Sequence, residues 1–135
     1  KTQIRGWDFS SKTKYENSTL KVGFMYASAQ DSSNTQMTRR PWWQANIGLD
    51  HQVNDRLNIW YDWQYYGDHR DIHPTTYAVV DREYQHFTNV GADYLVGDNL
   101  LLKASIDNIT NLDFERPYGY KQPERTVSLS LKYFF

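Results

Sequence analysis

The sequence has no cysteine and no run of 18 apolar residues. The first absence excludes disulfides and thiolate metal centres. The second excludes a transmembrane helix, which needs about 20 consecutive apolar residues. A surplus of one charge is missing too: 15 Lys and Arg stand against 16 Asp and Glu with no basic block, which argues against a nucleic-acid partner. Lys1 to Arg5 is polar, so no signal peptide opens the chain, as expected of a mature, processed or excised polypeptide. Hydrophobic residues make up only 39 %, and helical periodicity is scarce. Aromatic side chains, by contrast, are abundant, with 11 Tyr and 5 Trp.

Those aromatics fall into a period-two pattern that recurs along nearly the whole chain. Trp7, Phe9, Ser11, Thr13 and Tyr15 alternate with Asp8, Ser10, Lys12 and Lys14. Leu20, Val22, Phe24 and Tyr26 form a second such set, and Trp43, Ala45, Ile47 and Leu49 a third. Leu57, Ile59, Tyr61, Trp63 and Tyr65 oppose Asn58, Trp60, Asp62, Gln64 and Tyr66. Tyr84, Val90, Ala92 and Tyr94, then Leu100, Leu102, Ala104 and Ile106, continue the series. Val127, Leu129, Leu131, Tyr133 and Phe135 complete it, against Thr126, Ser128, Ser130 and Lys132. Side chains of a strand alternate between faces, so the pattern predicts seven strands, each with one apolar and one polar face.

The connections alternate as well. Short turns are expected at Glu16–Ser18, Asn54–Asp55 and Gly97–Asn99, and long polar loops near Ser28–Pro41, Gly67–Arg82 and Asn108–Glu124. Trp7, Tyr26, Trp43, Tyr65 and Tyr84 fall at strand ends next to long loops, whereas Tyr15, Tyr94 and Phe135 fall near the opposite ends. Long loops at one end and two aromatic girdles match a transmembrane antiparallel β-barrel with an apolar band of about 25 Å. A soluble sandwich or lipocalin-like barrel is the competing reading, and a polar interior in a closed soluble barrel counts against it. Single-chain bacterial barrels have an even number of strands, so seven predicts the C-terminal segment of a larger barrel. An eight-stranded barrel with one strand unrecognised, acting as an adhesin or an enzyme, remains the alternative.

Among candidate sites, the richest loop holds His69, Asp71, His73, Asp81 and Glu83. Imidazole and carboxylate can ligate a transition metal, but Pro74 and the surrounding polarity favour a solvated, ligand-contacting loop, and no metal site is expected. His51 and His86 fall on the apolar face and are read as interfacial. Asp50, Asp62, Asp93, Lys12, Lys14 and Lys103 fall on the polar face, where a wet lumen explains them better than acid–base chemistry. Ser105 and His86 point to opposite faces, so no nucleophile–base pair forms and no catalysis is expected. Asn17-Ser-Thr and Asn108-Ile-Thr match the glycosylation acceptor pattern and are read as chance. Arg39, Arg40, Trp42, His69, Arg70, Tyr77, Tyr118 and Tyr120 are the candidate ligand contacts, because guanidinium and aromatic groups suit an anionic ferric chelate or a corrin ring.

Several stretches resemble the TonB-dependent outer-membrane receptors. In that family a penultimate strand ends in Asn-Leu-(Phe or Thr)-(Asp or Asn)-Lys-x-Tyr, followed by Gly-Tyr, Pro-Gly-Arg and a last strand closing on an aromatic. Here Asn108, Ile109, Thr110 and Asn111 match the start, Tyr118-Gly119-Tyr120 the middle, and Pro123-Glu124-Arg125 stands where Pro-Gly-Arg is usual. Upstream, "TRRPWWQANIGLDHQV" resembles the Arg-Arg-Pro segment that opens a strand in the same family. The Tyr-Gly-Tyr region is similar to the vitamin B12 receptor, and Arg82–Tyr94 to catecholate siderophore receptors. The resemblance implies a barrel of about 22 strands around an N-terminal plug. It also implies nutrient uptake (cobalamin, a ferric siderophore or similar) powered by the TonB complex, and no cofactor. This chain holds neither plug nor TonB-contact segment, so a further receptor chain carrying both is an expected partner. Outer-membrane lipid and the barrel assembly machinery are the others. The alternation Val127, Leu129, Leu131, Tyr133 and Phe135 resembles the assembly signal at the end of outer-membrane proteins.

Overall fold

The computed structural model describes Lys1–Phe135 and is entirely strand and loop. Seven long strands form one antiparallel sheet: β1 (Gln3–Tyr15), β2 (Ser18–Gln30), β3 (Trp43–Asn54), β4 (Leu57–Tyr66), β7 (Gln85–Val96), β8 (Leu100–Asp107) and β9 (Thr126–Tyr133). Neighbours in the sheet follow chain order, except that β4 pairs β7 across a separate hairpin of β5 (His69–Ile72) and β6 (Val79–Arg82). That hairpin lies inside the expected Gly67–Arg82 loop, which is therefore not structureless. β1 and β2 also extend beyond the alternation seen in sequence, starting at Gln3 and ending at Gln30.

The register keeps the two faces separate across the whole sheet. Val22 pairs with Ser11 and Ile47, Ile47 with Trp63, and Val90 with Tyr61 and Ile106, which in turn meets Val127. One face is thus continuously apolar, because any one-residue slip would invert a strand's two faces. The opposite face carries Lys12, Lys21, Gly48, Asp62, Asn89, Asp107 and Thr126 in one row. Asp50, Asp93, Lys14 and Lys103 share that polar face, and Lys103 Nζ reaches Asp93 Oδ2 at 3.0 Å. His51 and His86 fall on the apolar face, where Ser18 Oγ meets His51 Nδ1 at 2.7 Å and His86 stacks on Tyr84.

Little of the sheet is packed against anything. Only 9 of 135 residues are buried, and Ile47, Leu49, Ile59, Val127, Leu129 and Leu131 stand exposed on the apolar face. An apolar surface this large and continuous needs an apolar solvent, and lipid supplies one. The buried residues instead concentrate at the long-loop end, around Ala29, Tyr66, His69, Asp71, Gln85, Phe87 and Asn108.

Trp7, Phe24, Tyr26 and Trp43 form one aromatic cluster at that end, with centroids 4.5–6.4 Å apart, and Trp63, Tyr65 and Tyr84 form a second stack. Tyr15, Tyr94 and Tyr133 lie at the turn end, so the two girdles sit where an interface would place them. Close fits occur on the polar face at Gly23, against Asn46, and at Gly91. The Trp60 indole crosses Gly91, where a Cβ would come within 2.4 Å of the ring.

Candidate functional site

The three long connections gather at one end of the sheet. They comprise residues 31–42, residues 67–84 with the β5–β6 hairpin, and residues 108–125. Each is shaped locally by short-range polar bonds. Asp31 Oδ1 accepts from the Ser33 and Thr35 amides, which holds its carboxyl below the usual range. Gln36 bonds the Ala29 amide through Oε1 and the Ala27 and Arg40 carbonyls through Nε2, tying the first loop to β2. Asn108 has φ 51°; its Oδ1 accepts from the Leu112 amide while Nδ2 donates to the Leu112 and Pro123 carbonyls. That ring of bonds sets the start of the third loop, and Asn tolerates the left-handed conformation it needs.

The loops meet at Asp71. This side chain is 1 % exposed, although it sits on a four-residue strand outside the main sheet. Arg39 Nε approaches Asp71 Oδ1 at 2.7 Å, and the Tyr118 amide donates to Oδ2 at 2.7 Å. The Ile72 amide donates to Oδ1. Burial pushes the carboxyl up, but Arg39 and the two amides outweigh it, so Asp71 titrates below the usual carboxylate range. Around this centre, Tyr66 Oη donates to the Arg39 carbonyl at 3.1 Å, and the Arg116 guanidinium lies 4.0 Å above the Tyr66 ring. The Arg82 guanidinium sits 4.3 Å over Tyr118, whose other neighbour is His73.

Several candidates from the sequence therefore have internal partners. Arg39 is bound to Asp71, His69 is buried edge-on against Tyr66 with Nδ1 3.1 Å from the Gly67 carbonyl, and Tyr118 lies between Arg82 and His73. Arg40, Tyr77 and Tyr120 are exposed, and Trp42 is half-buried and stacked on Tyr26. Arg70 is partly open, with Nε 3.4 Å from the exposed Asp81. His73 Nδ1 accepts from the Thr75 and Thr76 amides. With Asp71 held by Arg39, the side chains of His69, Asp71 and His73 point to different partners.

Two recesses flank this cluster. One of about 770 Å³ opens between the first loop and the hairpin, lined by Gln36, Trp42, Asp68, Arg70, Arg82 and Glu83 among others. The other, about 560 Å³, lies on the polar face under the third loop, where Asp8, Gln44, Asp62, Gln64, Tyr66 and Arg116 face it. Neither Asp71 nor Arg116 was recognisable as a structural centre from sequence. Only their distant partners give them that role.

A sheet apolar on one face, polar on the other, with girdles and one-sided loops has the fold of a section of outer-membrane β-barrel wall. Known structures bear this out. The siderophore receptor PirA from Acinetobacter baumannii superposes with TM-score 0.82 at 16 % identity, covering 98 % of this chain and 22 % of that one. The pyoverdine outer-membrane receptor FpvA from Pseudomonas aeruginosa PAO1 gives 0.86 at 14 %, covering 99 % and 22 %. The ferric-catecholate import receptor Fiu from E. coli K12 gives 0.83 at 15 %, covering 99 % and 21 %. The chain thus spans about a fifth of the length of the structures it matches. No family model matches the sequence.

Proposed function

We propose that this chain is the C-terminal wall of a TonB-dependent outer-membrane receptor and helps to capture a ferric siderophore at its outer loops. The observation that carries the reading is the superposition of 98 % of the chain on a siderophore receptor, with all three long loops on one side. The ending that resembles this family supports it independently. The free edges support it as well. β1 and β9 both run from the loop end to the turn end, so they are parallel to each other. Antiparallel closure then needs an odd number of further strands, and a second copy of the chain would leave a parallel seam. A bilayer does not tolerate open edges, so another polypeptide segment completes the barrel and supplies the plug and the TonB contact. The barrel assembly machinery recognises the last strand through Val127, Leu129, Leu131, Tyr133 and Phe135.

At the mouth, Arg40 and Arg70 supply charge-assisted hydrogen bonds to an anionic chelate, and Trp42, Tyr77 and Tyr120 supply aromatic surface. Arg39, His69 and Tyr118 act behind them by shaping the loops. Ferric catecholate, ferric hydroxamate and cobalamin binding to the purified receptor distinguish the nutrients. A ferric chelate is expected to bind, and Arg40→Ala with Arg70→Ala to raise its Kd by about tenfold or more. Equal affinity in both forms would remove these arginines from the site, and binding of cobalamin alone would overturn the siderophore reading.

A further inference from the structure

We infer that Asp71 is a positioning residue that makes the three outer loops move as one body. The inference rests on the receptor reading only for what the loops serve; the coupling stands on the geometry of one carboxylate.

A hairpin of two four-residue strands is below the size that holds its own shape in water. β5–β6 pairs with no other strand, yet it carries the largest fully buried side chain of the protein, and that side chain is a carboxylate. A buried carboxylate is tolerated when its oxygens are occupied, and here both are. Oδ1 takes Arg39 from 32 residues upstream, and Oδ2 takes the Tyr118 amide from 47 residues downstream. One residue of the second loop therefore binds the other two.

Each arm is itself fixed. Arg39 has φ 60°, its amide donates to the Arg70 carbonyl and its carbonyl accepts from Tyr66 Oη, so backbone and side chain are both held. Tyr118 is clasped by Arg82 and His73 of the second loop. Gly119, with φ +86°, lies against Pro74, where a Cβ would come within 2.6 Å of the ring. A force on any one loop is then transmitted to the others through Asp71, and the exposed Arg40 and Tyr120 and the partly open Arg70 keep their mutual spacing for a ligand.

The test is hydrogen exchange on the full receptor in its native outer membrane, read by mass spectrometry over residues 31–42, 67–84 and 108–125. Asp71→Asn keeps the size and removes the charge. Exchange is expected to rise about ten- to a hundredfold in all three segments together, the loss of charge-assisted hydrogen bonds. Arg39→Gln is the second variant. Arg39 makes no hydrogen bond to 108–125, so faster exchange there reports that the first loop is coupled to the third, and Asp71→Asn assigns that coupling to the carboxylate. A rise confined to 67–84 in Asp71→Asn, or an unchanged 108–125 segment in Arg39→Gln, overturns the inference. Ferric-siderophore binding by the unaltered receptor is measured in parallel. Coupled loops without binding would refute the receptor reading alone, and binding with independent loops would refute the coupling alone.

Discussion

Replacing Ile47 by arginine measures whether the apolar face is bathed in lipid. Ile47 lies in the middle of β3, between Val22 and Trp63, and its neighbours leave it 38 % exposed. It follows Trp43 of the outer girdle by four residues. At a rise of about 3.4 Å per residue and a tilt near 40°, that places it about 10 Å below the girdle, close to the middle of a band about 25 Å tall. An arginine at the midplane of a barrel's lipid face costs about 2–4 kcal/mol, falling to about 0–1 near the interface. Gln64→Arg is the matched control, because Gln64 is exposed on the polar face of the adjoining strand. Urea unfolding of the protein in lipid vesicles gives both values. Ile47→Arg is expected to lose about 2–4 kcal/mol and Gln64→Arg less than about 1 kcal/mol. Equal losses at the two sites would refute the facial assignment.

Three further outcomes follow from local geometry. Gly91→Val on the polar face forces the Trp60 indole to move, with an expected loss of about 1–3 kcal/mol by the same unfolding assay and a shift in Trp fluorescence. The Asp71 carboxyl is lowered in the folded state, so its contribution is present above the unfolded value near 3.8 and lost as pH falls through the folded one. Facing it are Arg39 and, through Tyr66, Arg40 and Arg116, with His73 and His69 nearby. Loop protection measured by hydrogen exchange is therefore expected to hold from pH 8 down to about pH 4 and to drop below that, and loss between pH 7 and 5 would remove Asp71 as its cause. Deletion of Phe135 is expected to slow outer-membrane assembly in cells, and an unchanged folded yield would remove it from the assembly signal.

The sheet was legible because its two faces meet different solvents. Every apolar residue named on β3 and β4 shares the face its alternation assigned, from Ala45 opposite Tyr65 to Leu49 opposite Tyr61. The short turns are local in sequence and carry Asn, Asp and Gly. The β5–β6 hairpin was hidden for the opposite reason. Its inward residues on β5 are His69 and Asp71, so "HRDI" lacks a run of alternating apolar residues and reads as loop. The candidate ligand residues were ambiguous in the same way. Arg39 and Arg40 are adjacent and chemically alike, yet one meets Asp71 from 32 residues away and the other faces solvent. An ion pair at that separation leaves no periodic trace, so residue type identifies a capable group and only the fold says whether it is free.

The central claim is that one face of this sheet touches lipid and the other a watery lumen. Single cysteines placed in turn at residues 43–51 of β3, in a chain that has none of its own, carry a spin label through that strand. Collision with dissolved oxygen and with a water-soluble nickel chelate then reports the surroundings of each position in the membrane. The account predicts oxygen-dominated relaxation at Ala45, Ile47 and Leu49 and nickel-dominated relaxation at Gln44, Asn46, Gly48 and Asp50. Nickel access at both sets would contradict it and return the chain to the soluble barrels.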